Sequence, residues 1–222
     1  MIHFKSKLTR LSIFETFKTK NEELTGEAIR QRNIISHLAI EDNPSLMTRT
    51  AIAQNIARKN NLLWKNIYSG IFRDLDEVLI PLEIVVESGR LPIKRGPKAL
   101  QEKGIPSYKL TTKGLLVALS ITELKNKKQI LGDFLSKAEI TDQLFSDSIR
   151  LLEKISPKFT YSIFANYVKA YCAGKLKDLL PFSISELEKK SKDNFIAQRE
   201  ILEGFMSLSK ANRIKILDLF KI

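Results

Sequence analysis

The chain has little of what secreted proteins, membrane proteins and most metal enzymes depend on. Its 222 residues include one cysteine, Cys172, and two histidines, His3 and His37. One cysteine cannot form an internal disulfide, which favours a reducing compartment. No run of about 18 apolar residues is present, so no transmembrane helix is expected. The N-terminus interleaves charges with its apolar residues, unlike a signal peptide. We therefore expect a soluble, cytoplasmic protein.

The residue patterns that usually carry catalysis are missing as well. Two distant histidines and one cysteine offer no metal-ligand spacing. The sequence contains neither a glycine-rich phosphate loop nor a G-x-S-x-G nucleophile elbow. His37 lies in a predicted helix and Cys172 in an apolar one, and both are interpreted as structural residues. We expect no enzymatic activity and no bound metal or cofactor.

Positive charge is what the sequence has in excess. It holds 37 Lys and Arg against 25 Asp and Glu, a formal net charge of +12. Such a balance favours polyanions such as nucleic acid or anionic membrane surfaces, although it says nothing about fold. Residues 1–120 carry a net charge of +7, and residues 90–113 alone carry +6. The first half therefore has one basic segment on a nearly neutral background, whereas the second half carries its +5 evenly.

Hydrophobic periodicity predicts three helices and a β-hairpin in the first half. The helices cover about residues 27–41, 48–60 and 62–78, and Thr48 is the expected N-cap of the second. Residues 82–86, Leu-Glu-Ile-Val-Val, are rich in β-branched side chains and predict a strand. The basic segment follows, punctuated by Gly and Pro, and residues 107–111 alternate as a returning strand. The second half is predicted to be helical throughout, because apolar residues recur three or four apart.

Three sequence stretches carry a resemblance to a known family. TRTAIAQNIA looks like the second helix of a helix-turn-helix, and IYSGIFRDLDEVLIPL looks like its recognition helix running into a wing strand. SYKLTTKGLLVAL resembles the returning wing strand and following helix of winged-helix regulators, in which Tyr-x-Leu-Thr-x-x-Gly recurs. Over about residues 27–120 the chain thus resembles winged helix-turn-helix DNA-binding proteins, archaeal transcriptional regulators above all. It departs from them in a long turn at residues 58–62 and a long wing.

This resemblance implies that the third helix reads bases in the major groove of duplex DNA. If Ile67, Ile71 and Leu75 face the core, the opposite face presents four polar side chains: Lys65, Asn66, Ser69 and Arg73. Lys and Arg can read guanine, and Asn can bind adenine with both its amide atoms. Gly70 is expected to let the helix approach a partner closely, since glycine is otherwise costly in a helix. The alternative is that these residues are only the solvated face of an amphipathic helix.

The basic segment supplies the cations of the predicted wing. Its DNA-binding candidates are Arg90, Lys94, Arg95, Lys98 and Lys103. Phosphate contact requires cations on an exposed loop, and each neutralised phosphate releases counterions. Arg95, beside a Gly-Pro pair, is also placed to enter a narrow minor groove. The alternative is a loop that merely aids solubility.

The predicted fold class is mainly α with a small β-hairpin wing. Residues 1–26 are assigned to an N-terminal extension, residues 27–120 to a winged-helix DNA-binding domain, and residues 121–222 to an all-α domain for dimerisation or sensing. The expected function is sequence-specific, double-stranded DNA-binding transcriptional regulation by a homodimer formed through the C-terminal helices, without membrane contact. The alternative is a winged-helix interaction module that binds a protein partner or RNA within a larger assembly.

Overall fold

The computed structural model describes residues 9–18, 22–61, 63–92, 102–138 and 143–219. In this part of the chain the protein is mainly helical, with one small antiparallel hairpin. The helices are α1 (Gly26–Leu38), α2 (Arg49–Lys59), α3 (Trp64–Arg73), α4 (Thr112–Leu119), α5 (Lys127–Lys137), α6 (Gln143–Ile155), α7 (Pro157–Cys172), α8 (Ile184–Ser207) and α9 (Lys210–Leu219). The strands are β1 (Val85–Leu91) and β2 (Ile105–Leu110). The predicted combination of helices with a small hairpin is confirmed.

The chain divides into two compact units, residues 1–182 and 183–222. The boundary predicted at residue 120 lies inside the first unit, where α4 contacts α1 as well as α5 and α7. The division of roles between residues 27–120 and 121–222 stays a prediction. The second unit consists of α8 and α9, and none of its side chains that the structure describes is buried.

Threonine side chains define where three of the helices begin. Thr25, Thr48 and Thr111 each accept a hydrogen bond from a backbone N–H in the first turn of α1, α2 and α4. Such a cap satisfies a donor that the helix itself cannot, which stabilises it by about 1 kcal/mol. The predicted N-cap at Thr48 is confirmed.

Helices α1, α2 and α3 form the first part of the core. Ile34, Ile52 and Ile71, one from each helix, are fully buried. Helix α3 continues into a π-helical turn, Asp74–Leu79, in which the Ile80 N–H donates to the Leu75 carbonyl at 2.9 Å. This turn extends the buried side of α3, since Leu75 and Leu79 are also fully buried.

The hairpin begins later than predicted. Residues 81–84 form turns and a bend, and Glu83 has a φ of 55°, in the left-handed region that a strand cannot contain. Strand β1 therefore starts at Val85, three residues after the predicted start, and runs on to Leu91. The strands pair from Val85 opposite Leu110 to Leu91 opposite Ile105, with a bulge between Glu87 and Gly89. The first residues of the basic segment are thus strand rather than loop.

Strand β2 is also bonded to the segment that leads into α2. Ser107 forms an isolated antiparallel bridge with Thr48, and the Tyr108 N–H donates to the Met47 carbonyl at 3.0 Å. Strand β2 is therefore hydrogen-bonded to β1 on one side and to the segment before α2 on the other.

The junction between β2 and α4 holds the first residues of the hairpin in place. The Thr111 hydroxyl donates to the Glu83 carbonyl at 2.5 Å, and its N–H donates to the Ile84 carbonyl at 3.1 Å. Gly114 packs against the same backbone, because a Cβ added there would lie 2.2 Å from the Ile84 oxygen. Only glycine fits this close approach.

The two residues interpreted as structural, His37 and Cys172, are buried. The His37 Nε2 lies 2.9 Å from the Leu46 carbonyl oxygen, and burial lowers the pKa of its imidazole. Burial raises the pKa of the Cys172 thiol to about 12, so it stays a neutral thiol at neutral pH. Among the described residues, no three His, Cys, Asp or Glu side chains come together as a metal site. None of the described helices combines the length and apolar character needed to cross a membrane.

Candidate nucleic-acid interface

The four predicted reading residues lie on the solvent side of α3. Lys65, Asn66, Ser69 and Arg73 are all exposed, whereas Ile71 on the opposite side is fully buried. None of the four side chains forms a hydrogen bond or an ion pair with another described residue. From Lys65 to Arg73 the helix rises by about 12 Å, so the four side chains are distributed along a face of about that length.

Acidic residues mark the end of this face. Asp76 and Glu77 follow Arg73 by three and four positions in the π-helical turn, and both are exposed. Asp76 is paired with Arg49, whereas Glu77 forms no ion pair with a described residue. The Glu77 carboxylate would therefore repel a phosphate backbone that extended past Arg73. The face suited to an anionic partner is therefore confined to α3 itself.

Arg49 connects the three elements around this face, and nothing in the sequence singled it out. Its guanidinium lies 4.9 Å from the centroid of Phe72 on α3 and 5.3 Å from that of Tyr108 on β2. It also pairs with Asp76 in the π-helical turn. A cation over aromatic faces is stabilising by about 0.5–1 kcal/mol at exposed sites. Arg49 is therefore a positioning residue that holds α2, α3 and the hairpin base together.

A second connection joins α1 to the end of α3. The Arg30 Nε donates to the Asp74 carboxylate at 2.8 Å, and the Asp74 side chain is only 1% exposed. Burial raises the pKa of Asp74, and the hydrogen bond from Arg30 opposes that increase. The Arg30 side chain passes over Gly70, where an added Cβ would lie 2.8 Å from its Nε. The close approach expected at Gly70 is thus made by Arg30 within the same chain.

The hairpin carries only part of the predicted basic wing within the described residues. Arg90 is half-exposed and pairs with Glu87 at 2.7 Å, so its charge is offset locally. Lys103 is exposed, as is Lys109 on β2, a cation that was not among the predicted wing residues. Lys94, Arg95 and Lys98, the predicted tip, lie outside the described residues.

The arrangement therefore offers one unpaired polar helix face, with a hairpin attached to the same helices. The chain matches no known protein family, no curated protein and no solved structure. The kind of partner that this face binds must therefore be inferred from the charges and contacts of its own residues. Lys65 and Arg73 remain available for an external anion, whereas Arg30, Arg49 and Arg90 are each engaged by a carboxylate of the same chain.

Proposed function

We propose that this protein is a sequence-specific regulator of transcription that binds double-stranded DNA through a winged helix-turn-helix. The observation that carries the proposal is the face of α3, where Lys65, Asn66, Ser69 and Arg73 are exposed and unpaired beside a fully buried opposite side. A helix with these side chains presents donors and acceptors that match base edges in the major groove.

The hairpin gives the proposal its second support. A winged helix places a small sheet beside the recognition helix, and here β2 bonds to the start of α2 through Thr48 and Met47. The Arg49 contacts with Phe72 and Tyr108 keep that sheet next to α3. Cations on the hairpin would then reach the phosphate backbone while α3 occupies the groove.

Duplex binding can be tested with two sets of variants, one that removes contacts to bases and one that removes contacts to phosphates. The variants Asn66→Ala and Arg73→Ala should relax sequence preference by about 1–3 kcal/mol for each lost base contact. The triple variant Lys94→Glu, Arg95→Glu, Lys98→Glu should weaken binding to all duplexes and reduce its dependence on salt. Fluorescence anisotropy across a salt series, against a duplex selected from a random pool and a scrambled one, measures both effects.

Lys154→Ala serves as the control for a lost surface charge, because Lys154 is exposed on α6. It should change neither affinity nor preference. Selection that enriches no duplex, together with wild-type affinity in the Glu triple variant, would refute the proposal.

One observation favours the alternative, a module that binds a protein. Leu63, immediately before α3, is 73% exposed. A large apolar side chain at the entrance to the proposed reading helix suits a protein surface better than a phosphate backbone. In the same anisotropy experiment, Leu63→Ser should leave duplex binding intact if the regulator proposal holds. Loss of a co-purifying protein partner in this variant would instead favour the interaction module.

The proposed regulator is a homodimer formed through the C-terminal helices. Four apolar residues of α8 are exposed: Ile196, Ile201, Leu202 and Met206. A two-helix unit of this size, without a buried side chain of its own among those described, gains stability when a partner covers its apolar residues. Sedimentation analysis should give twice the chain mass of 25.4 kDa. The Ile201→Glu, Met206→Glu variant should sediment as a monomer, and a monomeric wild type would contradict the assignment.

A further inference from the structure

A cleft of about 550 Å³ lies within the first unit, away from the exposed face of α3. Its walls come from α1, from Lys59 at the end of α2, and from residues 121–126, which connect α4 to α5. Volumes of about 300–1,000 Å³ are typical of sites for small organic ligands. The cleft thus has the size of a ligand site, and no role in the proposed DNA contacts.

The charged residues of the cleft are mostly cations. Arg32, Lys59 and Lys125 line it, and Glu123 is the one carboxylate among its described lining residues. Arg32 is 13% exposed and donates to Glu123 at 2.7 Å, whereas Glu123 is 70% exposed. Neither Lys59 nor Lys125 forms an ion pair within the described part of the chain. The positive charge of the cleft is therefore only partly neutralised. The carboxylate that neutralises part of it, Glu123, is largely exposed to solvent.

A further cation, Lys127, follows directly after the lining residues 121–126. Burial lowers the pKa of the Lys127 ammonium; Glu123 opposes that change, and Arg32 adds to it. The ammonium lies 4.8 Å from the centroid of the Tyr161 ring, an aromatic face rather than a carboxylate. Lys127 therefore forms no ion pair with a described residue, and it places one more cation next to the cleft.

The remaining lining of the cleft is largely apolar. Ile29 and Ile40, at 44% and 46% exposure, are among the most exposed large apolar residues of α1 and the turn after it, and both face the cleft. Leu24, Ile121 and Leu124 complete the apolar lining. Apolar walls with a few convergent polar groups are what bind the body and fix the head of a small ligand.

We infer that this cleft binds a small organic anion with an apolar body, its carboxylate taking the place of Glu123 on Arg32 and contacting Lys59 and Lys125. The apolar part of the ligand then covers Ile29 and Ile40. Because the carboxylate competes with Glu123 for the same guanidinium, removing the side-chain charge of Glu123 strengthens binding instead of weakening it.

Octanoate is the probe, and octanamide, of the same length without the charge, is its matched control. In a ¹H–¹⁵N NMR titration of the full chain without DNA, octanoate should saturate one site at residues 121–126 and around Lys59. Octanamide should bind at least tenfold more weakly. The Lys59→Gln, Lys125→Gln variant should lose about tenfold in octanoate affinity, whereas Glu123→Gln should gain.

Lys128→Gln controls for general loss of charge, because Lys128 is exposed on α5 outside the cleft lining. Its octanoate affinity should equal that of the wild type. Equal affinities for octanoate and octanamide would show that the cleft binds apolar chains without recognising the carboxylate. An unchanged octanoate affinity in Glu123→Gln would show that the ligand does not compete with Glu123 for Arg32. Either result overturns the inference. The titration contains no DNA, so its outcome is independent of the duplex experiments.

Discussion

Replacing Gly114 with alanine is expected to destabilise the protein by about 3 kcal/mol or more. The new methyl group would lie 2.2 Å from the Ile84 carbonyl oxygen and 3.0 Å from Cβ of Leu110. That oxygen cannot retreat easily, because the Thr111 N–H donates to it at 3.1 Å and the Thr111 hydroxyl holds the preceding carbonyl, that of Glu83, at 2.5 Å. The cost is a large share of the total stability of a typical domain, about 5–15 kcal/mol. Urea denaturation of Gly114→Ala and the wild type measures it directly.

The chain provides its own control for this substitution. Gly132 lies inside α5, and a Cβ there would meet nothing within 4 Å. Gly132→Ala should therefore stabilise the protein by about 0.5–1 kcal/mol, the usual gain on removing glycine from a helix interior. If Gly114→Ala unfolded at the same urea concentration as the wild type, α4 would not pack on the base of β1 as described.

The second large effect is expected at the ion pair between α1 and α3. Arg30→Met should cost about 3–5 kcal/mol, because it leaves the Asp74 carboxylate buried without its partner. Asp74→Leu alone should cost less, since the Arg30 side chain is 22% exposed and can turn its charge toward water. The double variant should recover most of the loss, as apolar replacements of a whole buried pair commonly do. A double-mutant cycle in urea measures all three values.

Arg32→Met is the matched control, on the same helix and with the same substitution. Its partner Glu123 is 70% exposed and stays solvated after the change, so the cost should be no more than about 1 kcal/mol. A double variant as unstable as Arg30→Met would show that packing, and not the isolated carboxylate, accounts for the loss. The elevated pKa of Asp74 agrees with a larger loss of stability in Arg30→Met than in Asp74→Leu. Burial of this carboxylate is unfavourable, and Arg30 compensates for only part of that cost.

Periodicity in the sequence was enough to predict the helices, because amphipathic spacing is a local property. The phase of α3 also follows from it: with Ile71 buried, Lys65 and Arg73 must face solvent. The start of β1 could not be predicted from β-branched composition, because the left-handed Glu83 and the Thr111 contacts delay it. Whether a cation forms an ion pair could not be predicted either, because partners such as Arg49 and Asp76 lie far apart in the sequence.

The Tyr-x-Leu-Thr-x-x-Gly pattern acquires a structural explanation. Tyr108 and Leu110 are buried, Thr111 caps α4, and Gly114 allows the close approach to β1. None of these residues is on the exposed face of α3. These residues of the pattern therefore build the junction of hairpin and helix, and they bear on architecture more than on what is bound. The proposed interface depends instead on residues such as Asn66 and Arg73, whose surroundings are defined only by the fold.

The backbone hydrogen bonds at the base of the hairpin also indicate which part of the sequence can vary. Strand β2 is aligned by its pairing with β1 and by its bonds to Met47 and Thr48, all of which lie outside residues 93–101. Insertions, deletions and changes of charge within residues 93–101 are therefore expected to leave that alignment unchanged. Over evolutionary time the sequence of residues 93–101 can diversify while the helices stay as they are. In protein engineering, this segment is where a foreign sequence can be inserted without redesign of the core.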